Sequence, residues 1–88
     1  MMTTDLVRVF RVDSAETVTN GLRVFIITTN KVARPDMCLQ LETVNPYAAS
    51  LCQRAKDLDR SIAVSWEKTK YGNTLRAAHL LKPKQETL

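Results

Sequence analysis

The sequence predicts a mainly β fold of five strands with one short helix between the third and the fourth. Five separate runs read as strands. Three of them (37–44, 61–67 and 74–81) alternate at the period of two of a half-buried strand, and two (6–12 and 22–29) are rich in β-branched and aromatic residues. One stretch, after Asn45-Pro46, switches to three- and four-residue spacing, the pattern of an amphipathic helix. The length of 88 residues holds the whole, residues 1–88, to a single domain.

A chain of this size buries roughly 60–65% of the surface its unfolded form exposes. An apolar fraction of 44% and a charged fraction of 25% are those of an ordinary globular fold and exclude a disordered chain. The net charge of +4 suits a polyanion or an acidic surface as partner without requiring one. Asp5, Arg8, Arg11, Asp13 and Glu16 interrupt the first twenty residues, so no secretory signal is expected. No apolar run approaches the ~20 residues that cross a bilayer. Cys38 and Cys52 are too few for a disulfide framework and match no zinc spacing. They read as small apolar residues in a reducing compartment, and the chain as cytoplasmic.

Residues 1–5 are short and polar and read as a loose lead into an ordered core spanning about 6–81. Residues 6–12 (LVRVFRV) form the first strand, with Val7 and Val9 on one face and Leu6, Phe10 and Val12 on the other. Apolar groups on both faces mean a strand between two packed surfaces, or a bulge that changes its facing. A polar segment then ends in Asn20-Gly21, a pair that accepts the positive φ of a two-residue hairpin turn. Residues 22–29 (LRVFIITT) are the second strand, with Leu22, Val24 and Ile26 opposite Arg23, Phe25 and Ile27. A basic connection follows, containing Lys31, Arg34 and Pro35. Residues 37–44 resume the alternation, with Met37, Leu39 and Leu41 opposite Cys38, Gln40 and Glu42.

Asn45-Pro46 predicts a helix start, because Asn caps an orphan amide and Pro presets φ at the first helical position. Ala48, Leu51, Cys52, Ala55 and Leu58 then share one face of about three turns, ending near Asp59. Residues 61–81 form the last hairpin. Ile62, Val64 and Trp66 make the apolar face of its first strand; Leu75, Ala77, His79 and Leu81 make that of its second. The sequence KTKYGN at 68–73 joins them and places two cations and a ring on a turn. The tail from Lys82 is polar and expected to fray.

Three strands, one helix and two strands, with a basic turn in the final hairpin, resemble the OB-fold, a small five-stranded Greek-key barrel. The resemblance rests on element order over residues 6–81. It implies antiparallel strands, with the helix between strands three and four covering one barrel end. Such barrels often ease the coiling of their first strand with a glycine, and residues 6–12 have none. An open sheet with the helix on one face is the competing architecture.

An enzyme is not expected. His79, the one histidine, lies on an apolar strand face with no evident partner and reads as structural. Gly21 and Gly72 are the only glycines, so there is no phosphate-binding loop. Asp57 and Asp59 read as solvated charges at a helix end, and no cofactor or metal is expected. The OB-fold resemblance implies a ligand face on strands two and three, flanked by the loops that join strands one to two and four to five. On this chain that face offers Arg23, Phe25, Gln40, Lys68, Lys70 and Tyr71. Cations that track phosphates beside rings that stack bases are the means of holding single-stranded DNA or RNA with weak sequence preference. Phe25 serves only if Leu22, Val24 and Ile26 fill the core; the opposite facing puts it inside. Trp66 continues the Ile62–Val64 face and reads as buried, Tyr71 fits a ring folded over the hairpin, and Lys68 and Lys70 fit ordinary solubilising charges. The alternative function is a protein-interaction module, self-associating or a subunit of a larger assembly, that uses apolar surface at Met37-Cys38-Leu39 and Ile26-Ile27.

Overall fold

The computed structural model describes residues 2–17 and 21–81. Its elements run β1 (Met2–Glu16), β2 (Arg23–Lys31), β3 (Cys38–Thr43), α1 (Pro46–Asp57), β4 (Ser61–Thr69) and β5 (Gly72–Leu80). The strands form a closed barrel in the order β1-β2-β3-β5-β4, which removes the open-sheet alternative. All neighbours are antiparallel except β3 and β5, which run parallel and share the single register pair Glu42↔Thr74. Strand direction cannot alternate all the way round a ring of odd number, so one seam has to be parallel. The all-antiparallel expectation fails there, and the narrow seam leaves a cleft beside it.

β1 is longer than its apolar run. Residues 2–8 pair with β4 from Met2↔Glu67 to Arg8↔Ser61, so the stretch expected to be loose is the one that closes the barrel. Side chains reinforce that closure. Trp66 Nε1 donates to Asp5 Oδ2 at 2.8 Å, Lys31 Nζ lies 3.7 Å from Asp5 Oδ1, and the hydroxyls of Thr4 and Ser65 are 3.2 Å apart. A register shift against β2 between Val9 and Arg11 makes Phe10 an extra residue. This bulge turns Val12 inward opposite Ile27 and adds the local twist that a glycine would otherwise ease.

The core is built from Val7, Val9, Ile27, Leu39, Leu41, Ile62, Val64 and Leu75, closed at one end by Cys52 and Ala55 of α1. Asn45 caps that helix, its Oδ1 accepting from the Tyr47 N–H at 2.9 Å, with Pro46 in the first turn as expected. Ala49, Cys52 and Ala55 are its buried residues, and their small side chains let the helix lie close to the strands. Leu58, assigned to the buried face by spacing, is the C-cap and is exposed. The chain leaves the helix through a left-handed residue, Asp59 at φ +53°. Asp59 N–H reaches Lys56 O at 3.0 Å and Arg60 N–H reaches Ala55 O at 2.9 Å, the two bonds of a Schellman motif. Arg8 fixes the turn by donating to both the carbonyl and the carboxylate of Asp59.

A second bulge sets the facing of β5. Ser65 pairs with Ala77 and Trp66 with Leu75, leaving Arg76 extra. Leu75 points inward, but beyond the bulge Ala78 and Leu80 pack on the core and His79 is exposed. The faces expected for 77–81 are therefore exchanged. Trp66 is half-buried against the core, as its spacing predicts. At the β1–β2 end, Thr17 N–H bonds Leu22 O at 2.8 Å. Gly21 has φ +66°, while Asn20 of the expected turn and the 82–88 tail lie outside the described residues.

Candidate functional site

Ile27 and Thr29 on β2, and Leu39, Leu41 and Thr43 on β3, are buried. The outward residues are therefore Ile26, Thr28 and Asn30 on β2 and Cys38, Gln40 and Glu42 on β3. Register aligns Arg11 with Thr28 and Gln40, and Asp13 with Ile26, Glu42 and Thr74. The face thus carries acids in one row and a cation in the next.

Gln40 stands exposed on this face as expected, and its carbonyl accepts from Asn73 Nδ2 at 3.2 Å. Phe25 and Arg23 do not join it. They lie two and four residues before Ile27 and share its inward parity. Phe25 is half-buried beside Val12, Pro46, Ala49 and Gln53, under the start of α1, so the outward stacking position is corrected. The reversal is affordable because the inward Thr29 hydroxyl donates to Leu39 O at 2.6 Å, which satisfies a polar group inside the barrel. Arg23 is exposed, but its guanidinium donates to Ser14 Oγ at 3.0 Å and to Glu16 at 3.2 Å.

The other arginines on the strands themselves are occupied in the same way. Arg8 pairs with Asp59, Arg11 with Asp13 at 2.8 Å and Arg76 with Glu67 at 2.9 Å. The Arg76 hydrogen bonds and charge hold the Glu67 carboxyl below the usual carboxylate range. Each of these pairs cancels a charge that a phosphate would otherwise meet.

The β4–β5 hairpin differs. Strand pairing continues to Thr69↔Gly72, so the turn is only Lys70-Tyr71, and Lys68 sits on β4 opposite Asn73. Thr69 Oγ1 accepts from Tyr71 N–H and donates to Gly72 O, both at 3.1 Å, which holds the tip in shape. Lys68 and Lys70 are exposed and have no acidic partner among the described residues. Lys70 Nζ lies 5.2 Å from the centroid of the Tyr71 ring, which is 77% exposed. A ring so placed has one face toward a cation and much of its surface toward solvent.

Beside this tip, along the β3–β5 seam, lies a cleft of about 370 Å³. Val24, Val44 and Leu75 give it apolar walls, Tyr71 closes one side, and Glu42, Thr74 and Arg76 supply its polar groups. Gly72 suits this position because its φ is +126°, and a Cβ there would also stand 3.0 Å from Glu42 Oε2 and press that side chain aside. Sequence reasoning missed Glu42, Val24 and Val44 as cleft residues, since only the non-local β3–β5 pairing brings them to the hairpin. It also missed Phe10, the extra residue of the first bulge, which is 54% exposed.

Of the apolar surface expected at Met37-Cys38-Leu39 and Ile26-Ile27, Leu39 and Ile27 are buried, which leaves Met37, Cys38 and a half-buried Ile26. Cys52 is buried, and burial pushes its thiol up to about 11. No cluster of metal-ligating side chains occurs among the described residues, and no helix among them is long and apolar enough to cross a membrane. Comparison with family models, with curated proteins and with solved structures yields no match to this chain.

Proposed function

We propose that this chain is an OB-type barrel that binds single-stranded nucleic acid, DNA or RNA, through the β4–β5 hairpin tip and the adjoining outward face of β2 and β3. One observation carries the reading. Lys68 and Lys70 are exposed cations of the hairpin with no acid paired to them among the described residues, and Lys70 lies over an exposed ring, Tyr71, that lines an open cleft. Phosphates are attracted by unneutralised cations, and a base stacked on an aromatic ring gains about 1–3 kcal/mol. The order of strands and the position of the helix support the OB-type assignment by analogy, and analogy of fold alone would not assign a ligand. The small number of free cations implies modest affinity and a shallow salt dependence.

The test is fluorescence anisotropy of labelled single-stranded and duplex oligonucleotides at low and at moderate salt. Salt-sensitive binding that prefers the single strand is the expected result. Flat traces at micromolar protein refute the reading. A protein partner is the second reading, favoured by the exposure of Val44 (54%) and Tyr71 (77%) at one apolar-walled cleft. An interface of that kind responds little to salt, so the same titrations separate the two.

A further inference from the structure

We infer that Glu42 makes the cleft beside the hairpin tip a guanine-selective base pocket, an inference that rests on the single-strand reading above. Glu42 lines the cleft yet has no ion pair and no side-chain hydrogen bond among the described residues. Backbone pairing with Ile26 on one side and Thr74 on the other sets its place on the sheet, and the missing Cβ of Gly72 leaves room for its Oε2. A carboxylate in the cleft repels phosphate. The backbone of a bound strand is therefore kept out of the cleft, towards the cations of the hairpin tip whose Tyr71 lines it, and a neutral base is what enters.

The carboxylate also discriminates among bases. Its two oxygens only accept, so it favours an edge with two adjacent N–H donors. Guanine presents that edge with N1–H and N2–H. Cytosine and adenine each offer one amino donor next to a ring-nitrogen acceptor, which faces the carboxylate unfavourably. Thymine and uracil offer one N–H between two carbonyls. Tyr71 supplies a ring on which the base stacks, and Val24, Val44 and Leu75 supply apolar contact. A good bidentate base contact corresponds to a discrimination of about 5- to 150-fold, and in a cleft open to water the lower part of that range applies.

The test compares twelve-nucleotide thymine strands carrying one central guanine, adenine or cytosine with the all-thymine strand, by anisotropy, on the wild type and on Glu42→Gln. Heteronuclear NMR with guanosine and adenosine monophosphates runs in parallel on both proteins, and its spectra also report whether the variant is folded. The guanine strand should bind about 5- to 20-fold more tightly than the other three, and Glu42→Gln, which replaces one acceptor with a donor, should bring all four within about twofold. If the all-thymine strand binds and guanine adds nothing, the pocket is refuted while the single-strand reading stands. If no strand binds, the single-strand reading falls and the mononucleotides decide the pocket. Guanosine monophosphate shifting the amides of Glu42, Tyr71 and Thr74 in the wild type alone upholds it, and absence of shifts overturns it.

Discussion

Replacing Lys68 and Lys70 together with alanine removes the two cations that stand unpaired at the hairpin tip. Each phosphate neutralised by a protein cation on a single strand contributes about 0.7 to the slope of log affinity against log salt. Two such contacts make about 1.4. Between 50 and 200 mM salt that slope corresponds to about a sevenfold loss of affinity, which the wild type should show and the double variant should largely lack. Arg23→Ala is the control. Its guanidinium already engages Glu16 and Ser14, so its removal also frees a carboxylate and should change the slope by well under 0.7. Anisotropy titrations of a labelled single strand at four salt concentrations measure all three slopes. If Arg23→Ala flattens the dependence more than Lys68→Ala/Lys70→Ala does, the hairpin tip is not where the phosphates run.

Phe25→Ala should lower stability by about 2 kcal/mol, roughly half the cost of emptying a fully buried Phe site, with a melting temperature lower by about 8–16 °C and oligonucleotide affinity unchanged. Lost affinity at an unchanged melting temperature would return Phe25 to the outer face. Gly72→Ala forces a side chain into φ +126° and against Glu42, and should cost about 1–3 kcal/mol in urea unfolding; a wild-type midpoint would contradict the tip geometry. Ellman's reagent should modify the exposed Cys38 at once and Cys52 only as the protein unfolds. Burial raises the Cys52 pKa from 9.0 to about 11, so the folded state keeps its proton where the unfolded state loses it. Its contribution to stability is therefore complete below pH 9 and is lost as pH rises towards 11. The urea midpoint should fall more steeply over that interval in the wild type than in Cys52→Ala, and parallel profiles would refute the assignment.

What could be read from the chain is what local chemistry determines. Asn45-Pro46 marks the helix start from its own chemistry, because cap and preset φ act within three residues. Alternation in 38–43 and 61–66 assigns Leu39, Leu41, Ile62 and Val64 to the core without knowledge of their neighbours. Facing failed where both sides of a strand were apolar, as on β2. There Phe25–Ile27 took the inward side, and the Thr29 hydroxyl that this facing buries is satisfied by a long-range bond to Leu39 O. It failed again past Arg76, where a bulge added one residue and exchanged the two faces.

The candidate site divides along the same line. Lys68, Lys70 and Tyr71 could be read as a group because they lie within four residues at one hairpin end. Glu42 could not, since it reaches the hairpin only through the single parallel pair that an odd-numbered barrel requires. Charge shows the limit most clearly. The net charge of +4 suggests a broadly basic surface, yet Arg8, Arg11, Arg23 and Arg76 are each paired with an acid contributed by a different turn, strand or register position. Only the Arg11–Asp13 pair is close enough in sequence to be foreseen. Pairing of this kind leaves the strand arginines neutralised and Lys68 and Lys70 unpaired at a tip beside a cleft that holds Glu42 between apolar walls. A ligand matched to that layout contributes a ring and hydrogen-bond donors as well as negative charge, which a nucleotide does and a simple polyanion does not.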